Sequence, residues 1–266
     1  MTEIAICLVS GAALGFLIGL TSVGAGVLTV PMLILVMRFE PITAVGTASL
    51  YAVLTKIYAT FRHYRQETIN LRVGFRFLMA ALPGVVGASL LVKWGKASLS
   101  PAGVDALQNA VSYLIILAIG FSLVTLLLDY SRCENNFFSS GFGKGISMLF
   151  TCFVGAIMGA TSIAGILIIP TLLLFYRETT KYVGTSIFVG VLLMLVMSMI
   201  YAFLGQDGHF VDVNARVAGI MALGSLVGTH HGSILSSKID PKRLQLVVVG
   251  AVILAAAMMI AGRLRS

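Results

Sequence analysis

Two stretches of this chain are apolar enough to enter a bilayer and too short to cross it. Residues 26–37 and 165–176 would each cover about 18 Å as helices, against a hydrocarbon core of ~30 Å. Each follows another slightly short apolar run, 4–20 or 145–160, across a break rich in small residues. The breaks read Thr21-Ser22-Val23-Gly24-Ala25-Gly26 and Thr161-Ser162-Ile163-Ala164-Gly165. They open a longer repetition. Thr21-Ser22, Pro31, Val45-Gly46-Thr47 and Ala81-Leu82 with Val86-Gly87 return as Thr161-Ser162, Pro170, Val183-Gly184-Thr185 and Ala222-Leu223 with Val227-Gly228, 138 to 141 residues later. Paired broken segments at corresponding places in two halves point to a transporter binding site near the middle of a membrane.

Composition agrees with that setting. Only 11% of the 266 residues are charged, 58% are hydrophobic and the mean hydropathy is +1.01; a soluble domain carries roughly 25% charged residues. The net charge of +8 comes from residues in short loops between apolar runs, a topology signal and a contact with lipid headgroups rather than a nucleic-acid surface. Cys7, Cys133 and Cys152 are odd in number and lack a neighbouring His/Cys cluster, so neither a disulfide framework nor a metal site is expected, and no cofactor. The first residues lack the basic start of a cleaved signal, so the first apolar run reads as a retained helix. Further runs at 42–61, 73–92, 106–128, 182–204, 217–235 and 244–262 are long enough to span, or nearly so.

Charge counting decides how the short pairs are threaded. If each pair enters and returns to the same side, eleven Lys/Arg gather in one set of loops and six in the other. A single crossing per pair would split them eight against nine, with no bias. The positive-inside rule therefore favours hairpins, with both termini on the less basic face. Three full crossings per copy are an odd number, so the second copy would be inverted relative to the first. The expected fold is all-α: a polytopic transmembrane bundle of two inverted repeats, each a broken-helix hairpin followed by three spanning helices. Residues 1–128 form the first repeat, 129–144 a polar loop and 145–266 the second repeat.

The duplicated breaks are the first candidates for chemistry. A reversal inside lipid frees backbone polar groups that must find partners or line a wet cavity. Gly24, Gly26 and Gly165 permit the turn. The hydroxyls of Thr21, Ser22, Thr161 and Ser162 can bond backbone or ligand. The short helices that follow would aim their N-terminal amides at the turn, and two such ends converging suit an anion. Close helix packing would be the simpler account of either break alone; duplication shifts the balance to a site. Thr47, Ser49, Thr185 and Ser186 lie near helix starts, where ligand binding and capping are equal readings. Pro31 and Pro170 shape their short helices. Lys56 is the only charge in its span; its distance from Arg62 favours snorkelling to the interface, and a role as charge partner is the alternative. His230-His231 point to different faces, which argues against a shared metal. Acidic residues, Asp212 among them, fall at helix ends or loops, which disfavours a cation site.

The motif residues also resemble a known family. Gly15-x3-Gly19, Val23-Gly24-Ala25-Gly26-Val27-Leu28-x-Val30-Pro31 and Ala44-Val45-Gly46-Thr47, recurring as Gly155-x3-Gly159, Ile163-Ala164-Gly165-x4-Pro170 and Val183-Gly184-Thr185-Ser186, resemble the sulfite exporter TauE/SafE family. The resemblance implies a bacterial-type inner-membrane transporter, not an enzyme, that exports sulfite, an organosulfonate or a related sulfur-containing anion. The expected partners are that anion and membrane lipid, with no nucleic acid; a homodimer is compatible with the chain. A channel-like anion pathway is the main alternative. A membrane-embedded hydrolase lacks a duplicated His or an acid to orient one.

Overall fold

The chain was studied as a computed structural model, which describes residues 2–21, 26–127, 141–175, 181–203, 212–236, 249–250, 253–254, 256–257 and 259–260. Among them nine helices are defined and no strand is present. The first hairpin is α1 (Thr2–Thr21) and α2 (Gly26–Leu35); three long helices follow, α3 (Pro41–Arg65), α4 (Leu71–Ser98) and α5 (Pro101–Leu127). The second series is α6 (Gly141–Thr161), α7 (Gly165–Phe175), α8 (Tyr182–Phe203) and α9 (Ala215–Ser236). α6 begins at Gly141, within the stretch expected as a polar loop at 129–144, and the part before Gly141 lies outside the described residues. Of the expected last run, 244–262, residues 249–250, 253–254, 256–257 and 259–260 are described, all of them helical, and the others lie outside the described residues.

Local chemistry sets these boundaries. Proline opens α3 and α5, where its missing N–H costs nothing. Asn70 caps α4 through a bond from the Val73 N–H at 3.2 Å, and Asn214 caps α9 through Val217 at 3.0 Å. Four helices, α3, α4, α5 and α8, are long and apolar enough to cross a membrane. The 22-residue α9 is not among them, being diluted by Thr229-His230-His231. Met79, Leu91, Leu117, Leu149 and Phe153 stand exposed on α4, α5 and α6, a surface that only lipid or another apolar partner would cover.

Glycine sets the packing. α1 lies along α9, and α6 along α4. In the first seam Gly11 meets Met221, Gly15 meets Ser225, Gly224 meets Leu8 and Gly228 meets Ala12. In the second, Gly155 meets Ala81, Gly159 meets Val85 and Gly84 meets Cys152. A Cβ at any of these glycines would overlap a backbone carbonyl oxygen of the partner, the close approach that small residues permit in lipid. Residue numbers rise together along both seams, so each pair runs parallel. α3 and α8 cross the middle in opposite directions, since Gly46 packs on Tyr201 and Lys56 on Gly190.

The seams correct one expected correspondence. Val86-Gly87 pairs with Val227-Gly228 in sequence, yet Gly228 packs on Ala12 and Phe16 as Gly84 packs on Cys152 and Ala156. A Cβ added at Gly87 would meet nothing within 4 Å among the described residues. In its packing Gly228 matches Gly84, about one helical turn from the sequence match. The same displacement relates Asn214 to Asn70.

Candidate functional site

Three places hold the candidate residues: two ends and a centre. At one end the Asp212 carbonyl lies against Gly46, and the Asn214 N–H donates to Thr47 Oγ1 at 3.0 Å. At the other the Thr68 carbonyl lies against Gly184, and the Asn70 N–H donates to Thr185 Oγ1 at 2.9 Å. Thr185 Oγ1 also donates to Lys181 O at 2.7 Å. Each threonine thus ties the start of its own helix to the connection leading into a helix of the other series. Because Thr47 sits level with Tyr201, the two joints lie about 24 Å apart along α8. Ser49 and Ser186 bond back to the carbonyls of Gly46 and Val183 at 2.6 and 2.8 Å. These four hydroxyls are buried and used by the fold; they are not gathered around the breaks.

The first joint carries charges that the sequence reading did not pair. Lys93 Nζ lies 2.7 Å and Lys96 Nζ 2.6 Å from the two carboxylate oxygens of Asp212, which is 1% exposed. Lys96 also reaches Glu40 at 3.5 Å, and Lys93 donates to Tyr201 O at 3.3 Å. Asp212 lies outside the helices, as expected, but its side chain is buried against α4 near the end of that helix. Beside this cluster, where α2 ends, opens a cleft of about 770 Å³ lined by Arg38, Glu40, Asp105, Gln108, Asn109 and Ser112 among others.

The centre is where the breaks meet. Ser22 and Gly24 lie outside the described residues, as does the side chain of Thr21, but both flanks of the first break are defined. Gly26, the first residue of α2, abuts the carbonyl of Ser162, and a side chain there would overlap it. The second break is described throughout and buried. Ser162 holds φ 60°, a left-handed conformation that non-glycine residues rarely adopt and that costs about 1–2 kcal/mol. Thr161 Oγ1 donates to Ile157 O at 2.6 Å and accepts from the Ile163 N–H at 3.3 Å, which closes the turn. The Ala164 carbonyl accepts from Leu167 and Ile168, so α7 starts at Gly165. The amides of Gly165 and Ile166 then have no carbonyl one turn earlier to receive them. Among the described residues Ser162 Oγ makes one soft contact, Met194 Sδ at 3.6 Å.

Lys56 does not snorkel. A methyl group placed on Gly190 would lie 3.4 Å from Lys56 Nζ and 3.6 Å from Ile168 Cδ1. Gly190 is eight residues inside α8, about 12 Å from its start, so the ammonium points across the bundle. The absent side chain at Gly190 makes the room. Among the described residues no hydrogen bond or ion pair reaches it. Gly190 and Met194 are one turn apart on the same face of α8, about 6 Å in rise. Lys56 and Ser162 therefore meet that face one turn apart, at Gly190 beside Ile168 and at the buried Met194. A cation in such a medium interacts far more strongly than in water. His230 and His231 lie elsewhere, exposed, with rings edge to face at 5.5 Å. No group of three metal-ligating side chains is found among the described residues.

Comparison with known proteins agrees with this architecture. The chain is 29% identical over 251 residues, 91% of its length and 94% of the relative's, to the "Probable membrane transporter protein YjnA" of Bacillus subtilis (strain 168). No solved structure matches it. The sequence profile described as "Sulfite exporter TauE/SafE" matches residues 7–259. Nearly the whole chain is covered by that match, and the protein belongs to the sulfite exporter TauE/SafE family of multi-pass membrane transporters.

Proposed function

We propose that the protein is an inner-membrane carrier that exports a small sulfur-containing anion, such as sulfite or an organosulfonate, by alternating access. The observation that carries this reading is the crossing itself: Lys56 and Ser162 on one face of α8, where Gly26 of α2 meets the second break. An anion there would be held by the Lys56 ammonium, the Ser162 hydroxyl and the first amides of α7; Thr21, Ser22 and Gly24 of the first break stay candidates from the sequence alone. Thr47, Thr185, Ser49 and Ser186 hold the helix starts at the two joints and do not line the crossing.

The two copies then act as inverted repeats. Three observations support this: α1 is parallel to α9, whose start adjoins that of α3; α6 is parallel to α4, whose start adjoins that of α8; and α3 and α8 run antiparallel. Rocking of one copy against the other would open the crossing to each side in turn. The polar cleft beside Arg38 serves as the vestibule on one side. The channel alternative differs in its flux law, because a carrier saturates and a channel conducts in proportion to driving force.

Replacing Ser162 with Leu should abolish sulfite flux in proteoliposomes while the protein still inserts and purifies as a single species. Ser162→Asn tolerates the left-handed backbone and should give the same loss. Undiminished flux in either variant would sink this site.

A further inference from the structure

The site is symmetric in plan and asymmetric in charge. Gly46 and Thr47 make the same contacts at one end that Gly184 and Thr185 make at the other. Carrying that correspondence along α3 and α8 sets Lys56 against Met194. Met194 is fully buried, and its sulfur takes the Ser162 hydroxyl at 3.6 Å. Lys56 Nζ lies one turn away, beside Gly190. Equivalent positions on the two crossing helices thus present one ammonium and one thioether to the same small space.

We propose that Lys56 and Met194 together count charge, so that the crossing accepts a monoanion and rejects a dianion of the same shape. This deepens, and rests on, the reading of the crossing as the anion site. One cation neutralises one charge. A second negative charge would face Met194, whose sulfur is at best a weak acceptor and offers no proton. Buried beside apolar side chains, that charge would be uncompensated, which is strongly unfavourable. Ser162 supplies a single hydroxyl donor, enough to orient an oxyanion and too little to neutralise it. The ligand is therefore held with its charged end toward Lys56 and its less polar end toward Met194.

Methanesulfonate and sulfate are suitable probes, being tetrahedral anions that differ by a methyl group in place of a charged oxygen. Shifts in the thermal midpoint of purified protein, titrated with each salt at constant ionic strength, give apparent affinities. The wild type should respond to methanesulfonate at concentrations at least tenfold below sulfate. Lys56→Met should lose the methanesulfonate response, and Lys56→Arg should keep it. Met194→Lys should bring sulfate within reach of methanesulfonate. The double variant Lys56→Met with Met194→Lys moves the charge to the equivalent position and should recover the monoanion response. Methanesulfonate and sulfate bound alike by the wild type, or discrimination that survives in Lys56→Met, would overturn charge counting while leaving an anion site intact. A wild type that responds to neither would overturn the anion-carrier reading and this inference with it.

Discussion

The seam between α4 and α6 allows a sharp test with two single-methyl substitutions. A Cβ added at Gly84 would lie 2.7 Å from the Ala156 nitrogen and 2.9 Å from the Cys152 carbonyl carbon, and would overlap the Cys152 oxygen. All three are backbone atoms of α6, so no side chain can swing aside. The seam must open by on the order of 1 Å, an overpacking that costs about 1–3 kcal/mol. Alanine returns up to about 1 kcal/mol through its better helix propensity. Gly84→Ala should therefore lose about 1–2 kcal/mol. Gly87, three residues along the same helix, has nothing within 4 Å, so Gly87→Ala keeps only the gain of up to about 1 kcal/mol. With the two variants about 2 kcal/mol apart, and at about 2–4 °C per kcal/mol for a chain of this size, their midpoints should separate by roughly 4–8 °C. Thermal stability in mild detergent, read as the monodisperse fraction after heating, measures this directly. Gly228→Ala should follow Gly84→Ala, because its Cβ would lie 2.6 Å from the Phe16 nitrogen. If Gly84→Ala is neutral, or Gly87→Ala falls with it, both the seam and the Gly84–Gly228 correspondence are wrong.

Thr47→Val and Thr185→Val should each cost about 1–3 kcal/mol in the same assay, because each removes the acceptor for an inter-series N–H, of Asn214 or of Asn70. Serine at either position should restore most of the loss, and a large inequality between the two joints would contradict their equivalence. Asp212→Asn should destabilise by about 3–5 kcal/mol, since it strands Lys93 in a buried position without its counter-charge. Adding Lys93→Met to that variant should recover much of the stability, and failure of the rescue would show that the carboxylate acts otherwise than by pairing.

The broken hairpins were legible because length and glycine content are local properties. Residues 26–37 cannot span however they pack, and Gly26 and Gly165 open α2 and α7 as the sequence indicates. What was not legible depends on partners far along the chain. Asn70 reads as an ordinary polar residue until Thr185, 115 residues away, receives its N–H. Lys93 and Lys96 look like loop charges because the apolar run stops at Val92, whereas α4 continues to Ser98 and Asp212 folds over both. The repeat register slipped by one turn for a related reason. In helices apolar on every side, a Val-Gly pair carries no sign of which face it occupies, and only the Cys152 and Ala12 carbonyls distinguish Gly84 and Gly228 from Gly87. For Lys56 the sequence offered a nearby interface; the vacant side of Gly190 on another helix sends the ammonium inward instead.

Pairing each hairpin's first arm with a helix of the other series also orders events during synthesis. When Gly155 leaves the ribosome, Ala81 and Gly84 already exist, so α6 can settle on α4 at once. Gly11 has no such luck: Met221 is made 210 residues later. At 5–20 residues per second that is a wait of roughly 10–40 s. Throughout it, α1 is an apolar arm with a glycine face and no helix to cover it. Since α1 packs along α9 and α2 meets the second break at Gly26, the chain completes this packing only after almost all of it has been translated.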